Sequence, residues 1–205
     1  MVTQLLMNVK SNKGENLMAL KTMSASSDGG KFSAGWHTVT ICKAEYGTYE
    51  GNDGDKRYLD LWFTDYPDNL NLRAYETVNS KTGEEFKVSN IFKFANAGIA
   101  GVLKDPNGKE VIQYDDDESG LINAVVNVYF YKEQKTGKEY SRIYENIAPV
   151  AQEGEHLSFT ETQVNGIKSG VEASCKKMLD KVVANGAADA PIEMSIEDVA
   201  KDLPF

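Results

Sequence analysis

Arg57-Tyr58-Leu59-Asp60-Leu61-Trp62-Phe63-Thr64 alternates with a period of two. A strand has only two sides, so Leu59, Leu61 and Phe63 go one way while Tyr58 and Trp62 go the other. Working outward, the same period precedes it: His37, Val39 and Ile41 alternate with Trp36, Thr38 and Thr40 in a β-branched stretch from Gly35 to Tyr46. It also follows, in Leu70-Asn71-Leu72-Arg73-Ala74-Tyr75-Glu76. Gly47 to Lys56 holds three glycines beside Asn52, Asp53 and Asp55 and reads as a turn between the first two strands. Asp65-Tyr66-Pro67-Asp68 breaks the ladder before the third.

Past Asn79-Ser80-Lys81-Thr82-Gly83 the period changes. Val88, Ile91, Phe92, Ala95, Ile99 and Val102 recur at steps of three and four, which predicts a helix from Ser89 as N-cap to about Leu103. A short strand is expected at Glu110 to Tyr114, inside a loop bracketed by Asp105-Pro106-Asn107-Gly108 and Asp115-Asp116-Asp117-Glu118. Alternation returns in Val126, Val128 and Phe130 against Asn127, Tyr129 and Tyr131. After the turn Lys135-Thr136-Gly137-Lys138 it resumes from Tyr140 to Ile147, giving a hairpin. Behind Ser169, the spacing of Val171, Cys175, Met178, Leu179 and Val182 predicts a short amphipathic helix that ends before Gly186.

Three strands, a helix and a hairpin is the element order of the OB-fold, a five-stranded and mainly β small barrel. The expected organisation is a leader over residues 1–30, an OB-fold domain over 31–150, an extension with the late helix over 151–186, and a disordered acidic tail over 187–205. Period two assigns the interior to Val39, Ile41, Leu59, Leu61, Phe63, Leu70, Leu72, Ala74, Val126, Val128, Phe130 and Ile143. Tyr58, Trp62, Arg73, Tyr75, Tyr129, Tyr131, Tyr140, Arg142 and Tyr144 then share the opposite face. Any one of these rings is equally well read as strand filler packed against a loop. Together they would form an apolar patch of a kind that soluble monomers seldom leave in water without a binding purpose.

Rings interleaved with cations suit a flexible single strand: each base stacks for about 1–3 kcal/mol and the cations neutralise phosphates. The candidate base contacts are Trp36, Tyr58, Trp62, Tyr75, Tyr129 and Tyr131, and the candidate phosphate contacts are Arg73, Lys132, Lys138 and Arg142. Lys56, Arg57 and Lys135 stand in the neighbouring turns.

The chain has 205 residues, 41% hydrophobic and 26% charged, which fits one globular unit with appendages and excludes a collagen-like or wholly disordered chain. Its net charge of −9 means that a polyanion partner needs a local basic face. Residues 151–205 hold 5 basic and 10 acidic groups, net −5, against 17 and 21, net −4, in residues 1–150. A mobile acidic tail of this kind would compete with other anions for a cationic groove. Cys42, Cys175, His37 and His156 form neither a disulfide framework nor a zinc motif. No export-type leader and no apolar run able to cross a bilayer is visible, so the expectation is a cytoplasmic protein without a membrane partner.

No catalytic residue, metal or cofactor is expected, and the chain is not read as an enzyme. Asp115-Asp116-Asp117-Glu118 lacks the glycine and spaced oxygens of a calcium loop. Lys81-Thr82-Gly83 and Lys135-Thr136-Gly137-Lys138 lack the preceding glycines of a phosphate-binding loop. Neither histidine has a nucleophile or carboxylate at a motif spacing.

The last residues, Asp202-Leu203-Pro204-Phe205 behind Glu197 and Asp198, combine apolar groups with the α-carboxylate, a tip that an apolar pocket rimmed by Lys or Arg would recognise. With the barrel order, this terminus resembles that of bacterial and phage single-stranded-DNA-binding proteins, the phage type more than the bacterial. A looser similarity runs from Gly35 to Pro149, through Trp36 to Tyr46, Tyr58-Leu59-Asp60-Leu61 and Tyr140-Ser141-Arg142-Ile143. The resemblance implies a non-enzymatic protein that coats single-stranded DNA in replication, recombination and repair. It also implies that Asp202, Leu203, Pro204 and Phe205 recruit replication or recombination enzymes. The loop from Asp105 to Gly120 and the late helix depart from the bacterial pattern, so a tetramer of that type does not follow and homo-oligomer formation is left open. A second reading is a carbohydrate- or protein-binding β-barrel module of a phage particle, since sugars also stack on rings. A metal-dependent nuclease is a third.

Overall fold

The computed structural model describes residues 32–185 apart from 52, 53 and 136, so the leader, the tail and the tip Asp202 to Phe205 lie outside the described residues. In chain order the elements are β1 (Gly35–Gly51), β2 (Gly54–Phe63), β3 (Leu72–Tyr75), α1 (Lys87–Ala95), β4 (Ile99–Lys104), β5 (Glu110–Tyr114), a 3-10 turn (Glu118–Leu121), β6 (Val125–Lys135), β7 (Lys138–Ile143) and α2 (Glu161–Asn185). Five strands form one antiparallel sheet in the order β3-β2-β1-β6-β7, and β4 and β5 form a separate hairpin. The protein is thus mainly β with an open sheet. The five strands expected of the barrel and the short strand expected at Glu110 to Tyr114 are all present, with β4 as an addition. Among the described residues no helix is long and apolar enough to cross a membrane.

The long strand β1 serves two partners. Its first part, Gly35 to Thr40, pairs with β6; its second, Ile41 to Gly51, pairs with β2. A bulge between Ile41 and Lys43 inserts Cys42 as an extra residue and shifts the register. Before it Val39 and Ile41 face the core; after it Ala44 is buried and Tyr46 packs against the core. Lys43, Glu45, Gly47 and Tyr49 are thereby moved to the outer face. All twelve residues assigned to the interior are in the core or packed against it, with Leu70 and Ile143 the two partly buried members.

Five expectations are corrected. Gly47 to Lys56 is not a ten-residue turn, because the β1–β2 ladder continues through Tyr49↔Lys56 to Gly51↔Gly54. The first helix ends at Ala95, not Leu103. Asn96 turns left-handed at φ 51° and its N–H reaches the Lys93 and Phe92 carbonyls, so Ile99 and Val102 enter β4. Ser89 does not cap it: the Glu85 carboxylate accepts the N–H groups of Lys87, Val88 and Ser89 at 2.7, 2.8 and 2.7 Å. The late helix starts at Glu161, well before Ser169. Thr160 and Gln163 cap it reciprocally, the Gln163 N–H donating to Thr160 Oγ1 at 3.3 Å and the Thr160 N–H to Gln163 Oε1 at 2.9 Å.

The last correction concerns Tyr144. Strand β7 ends one residue earlier, and Tyr144 is only 2% exposed, in a second apolar cluster with Val171 and Cys175 of α2. It does not belong to the open face.

Candidate nucleic-acid interface

Register lays out the outer face of β1, β2 and β3 in rows. Lys43 lies opposite Trp62; Glu45 opposite Asp60, which is opposite Arg73; Gly47 opposite Tyr58, which is opposite Tyr75; and Tyr49 opposite Lys56. Four of the sequence-predicted residues, Tyr58, Trp62, Arg73 and Tyr75, are therefore brought together. Trp62 donates its indole N–H to the Asp68 carbonyl at 3.1 Å, which fixes the ring, and Lys43 Nζ stands 4.3 Å from the ring centre. Tyr75 meets Tyr58 edgewise at 5.7 Å and Tyr49 at 6.4 Å. Tyr49 is 52% exposed.

Tyr58 rests against backbone. A Cβ on Gly47 would stand 2.4 Å from the Tyr58 ring, so only glycine admits the ring there. Arg73 lies over the same ring with its guanidinium carbon 3.9 Å from the centroid. It also forks Asp60, Nε donating to Oδ1 at 2.8 Å and Nη2 to Oδ2 at 2.6 Å. These bonds raise the Arg73 pKa further above its ordinary value. Asp60 is 6% exposed, and the fork satisfies a carboxylate that burial would otherwise penalise.

The other half of the face is covered. Trp36, Tyr129 and Tyr131 pack with Tyr144 against Ile167, Val171, Cys175, Met178 and Leu179 of α2. Trp36 donates its indole N–H to Glu172 at 2.6 Å, has Lys168 Nζ 5.3 Å from its ring, and tilts against Tyr129 at 5.3 Å. Tyr131 meets Tyr144 edgewise at 6.5 Å, and burial pushes its hydroxyl pKa up to about 12. Three of the rings read as base contacts are thus half-buried beneath a helix.

Of the cations on that side, Lys132 donates to Ser141 Oγ at 2.9 Å and lies 3.6 Å from Glu139. Arg142 pairs with Glu133 at 2.9 Å. Lys138, paired in register with Lys135, is exposed at the far end of the β6–β7 ladder. Arg57 turns the other way: its guanidinium carbon is 3.5 Å from the Tyr46 ring centre, and it pairs with Glu76 at 3.0 Å and Asp116 at 3.1 Å.

The acidic run is engaged locally. Asp115 accepts the Asp117 N–H at 3.1 Å, and Asp117 accepts the Ser119 N–H at 2.9 Å, a bond that holds its carboxyl below the usual range. Among the described residues no group of three or more His, Cys, Asp or Glu is gathered as a metal site. His37 bonds the Ser33 carbonyl through Nε2 at 2.9 Å and lies 3.3 Å from the Tyr66 hydroxyl through Nδ1.

Three residues of the open face escaped the sequence reading: Lys43, Gly47 and Tyr49. The alternation Lys43, Glu45, Gly47, Tyr49 carries the signal, but period two continued from Val39 and Ile41 assigns it to the core side until the bulge is known. The chain matches no protein-family model and no curated protein.

Proposed function

We propose that this protein binds single-stranded DNA with low sequence preference, and that its site is the outer face of β1, β2 and β3. The observation that carries the reading is the grouping of Tyr49, Tyr58, Trp62 and Tyr75 on one sheet face with Lys43 and Lys56 in the adjoining rows. Rings on a rigid sheet stack bases of any identity, and the lysines at the margin neutralise phosphates between them. The sheet order β3-β2-β1-β6-β7, with α1 inserted between β3 and β6, supports a partly open OB-fold. In that fold the face around the second and third strands is the oligonucleotide platform, and here it is the half that α2 leaves uncovered. The proposal includes the roles implied by the resemblance: coating of exposed strands in replication, recombination and repair, with Asp202 to Phe205 as the recruiting element.

The test is a fluorescence titration with oligo-dT at several salt concentrations. Of the two tryptophans, Trp62 lies on the proposed face and Trp36 lies against α2. Quenching persists in Trp36→Phe and is lost in Trp62→Phe. The logarithm of the affinity falls with the logarithm of salt at a slope of about −0.7 per phosphate neutralised. Binding that is absent, or insensitive to salt, overturns the reading; quenching by an oligosaccharide with weak salt dependence replaces it with a sugar-binding one.

A further inference from the structure

Arg73 is held unlike any other cation on the face. Its Nε and Nη2 are both engaged by Asp60, and one side of its plane lies on Tyr58. With Asp60 buried beneath it, the charge of the guanidinium is matched within the protein. Its side chain is nevertheless 43% exposed. What it turns outward is a flat, delocalised, weakly hydrated plane, and nucleobases stack on such planes.

Building on the single-strand reading above, we propose that Arg73 meets a base with the free side of its guanidinium plane and does not meet a phosphate with its N–H groups. Tyr58 is the support of that plane. Gly47 is a positioning residue, because the absence of its Cβ sets where the Tyr58 ring rests. Lys43, whose exposed pair with Glu45 at 2.9 Å a phosphate can replace, and Lys56 are the phosphate partners of this half of the face.

The measurement compares oligo-dT with an abasic strand of equal length, which keeps the phosphates and lacks the bases. Arg73→Lys preserves the charge and loses the plane and the fork. Its affinity for oligo-dT falls about tenfold, the scale of one base stack, while its affinity for the abasic strand equals that of the unaltered protein. Undiminished affinity for oligo-dT overturns the proposal, and so does an equal loss on both strands. Asp60→Asn combined with Arg73→Gln leaves the net charge of the pair unchanged, and its salt slope on oligo-dT stays at the wild-type value. A slope weaker by about 0.7 would mean a lost phosphate contact and overturns the proposal.

Gly47→Ala guards against a folding failure of either variant, since it alters no charge and no hydrogen bond. It loses affinity for oligo-dT and none for the abasic strand; full affinity for oligo-dT counts against the proposal. Failure of the unaltered protein to bind oligo-dT in a salt-sensitive way refutes the single-strand reading itself, a distinct result.

Discussion

Alanine substitutions at Trp36 and Trp62 separate a ring that holds the fold from one that holds a ligand. Trp36→Ala removes the 2.6 Å hydrogen bond to Glu172, the Lys168 contact, the tilted contact with Tyr129 and its share of the packing under α2. A fully buried tryptophan costs about 3–5 kcal/mol on truncation, so this half-buried one costs about 2 kcal/mol. At about 2–4 °C per kcal/mol for a chain of this size, the Tm falls by about 4–8 °C. Affinity for oligo-dT stays within about twofold. Trp62→Ala does the reverse: its hydrogen bond to the Asp68 carbonyl and its Lys43 contact are worth about 1 kcal/mol of stability. The lost stack, about 1–3 kcal/mol, raises Kd by roughly 5- to 150-fold. Calorimetry and a titration at one salt concentration on the same preparations give both numbers. A Trp36→Ala protein that melts normally and binds as poorly as Trp62→Ala would mean that α2 does not cover that half of the face in solution.

Burial pushes the Cys175 thiol up to about 11 from 9.0, while Cys42 is exposed at the bulge, so a disulfide reagent at pH 8 labels one cysteine in the folded protein and two in urea. Between pH 9 and 11 the native state keeps a proton that the unfolded chain has lost, so stability falls as pH rises through that window. Cys175→Ala makes the alkaline decline shallower, which urea midpoints at pH 8 and pH 10.5 record; an identical decline in both proteins would remove the argument. Glu85→Ala strips the acceptor from three N–H groups of α1 and costs about 1–2 kcal/mol, with Glu85→Gln recovering part of the loss in the same thermal melt. Removing Lys201 to Phe205 leaves oligo-dT affinity equal or higher and abolishes pull-down of replication enzymes; weaker DNA binding would contradict the reading of the tail.

Local periodicity was enough to read the core-facing positions of the sheet. The octapeptide around Leu61, the Val39 and Ile41 stretch and the Val126 to Phe130 stretch carry their inward and outward sides in the chain itself, and all pack as read. What failed depends on single backbone angles or on docking. Ile99 and Val102 continue the helical spacing by coincidence, while the left-handed turn at Asn96 decides that the helix stops. The apolar stripe of Val171 and Cys175 is visible, but the sheet half that it covers is set by tertiary packing, and Trp36, Tyr129 and Tyr131 change role because of it. Arg73 was legible as a cation; its partner Asp60 is cross-strand, thirteen positions away, and alters what the cation does.

The bulge at Cys42 divides β1 into two reading frames of sidedness. Forcing β1 into regular pairing with that residue retained would act on the strand as a frameshift acts on a message: everything downstream would be translated onto the wrong surface. Ala44 and Tyr46 would be cast into water, and Lys43, Glu45 and Tyr49 driven into hydrocarbon. Deleting Cys42 itself would instead leave Ile41 opposite Phe63 and Lys43 opposite Trp62 as successive pairs of a regular ladder, so each later side chain would keep its surface and only the local kink would go.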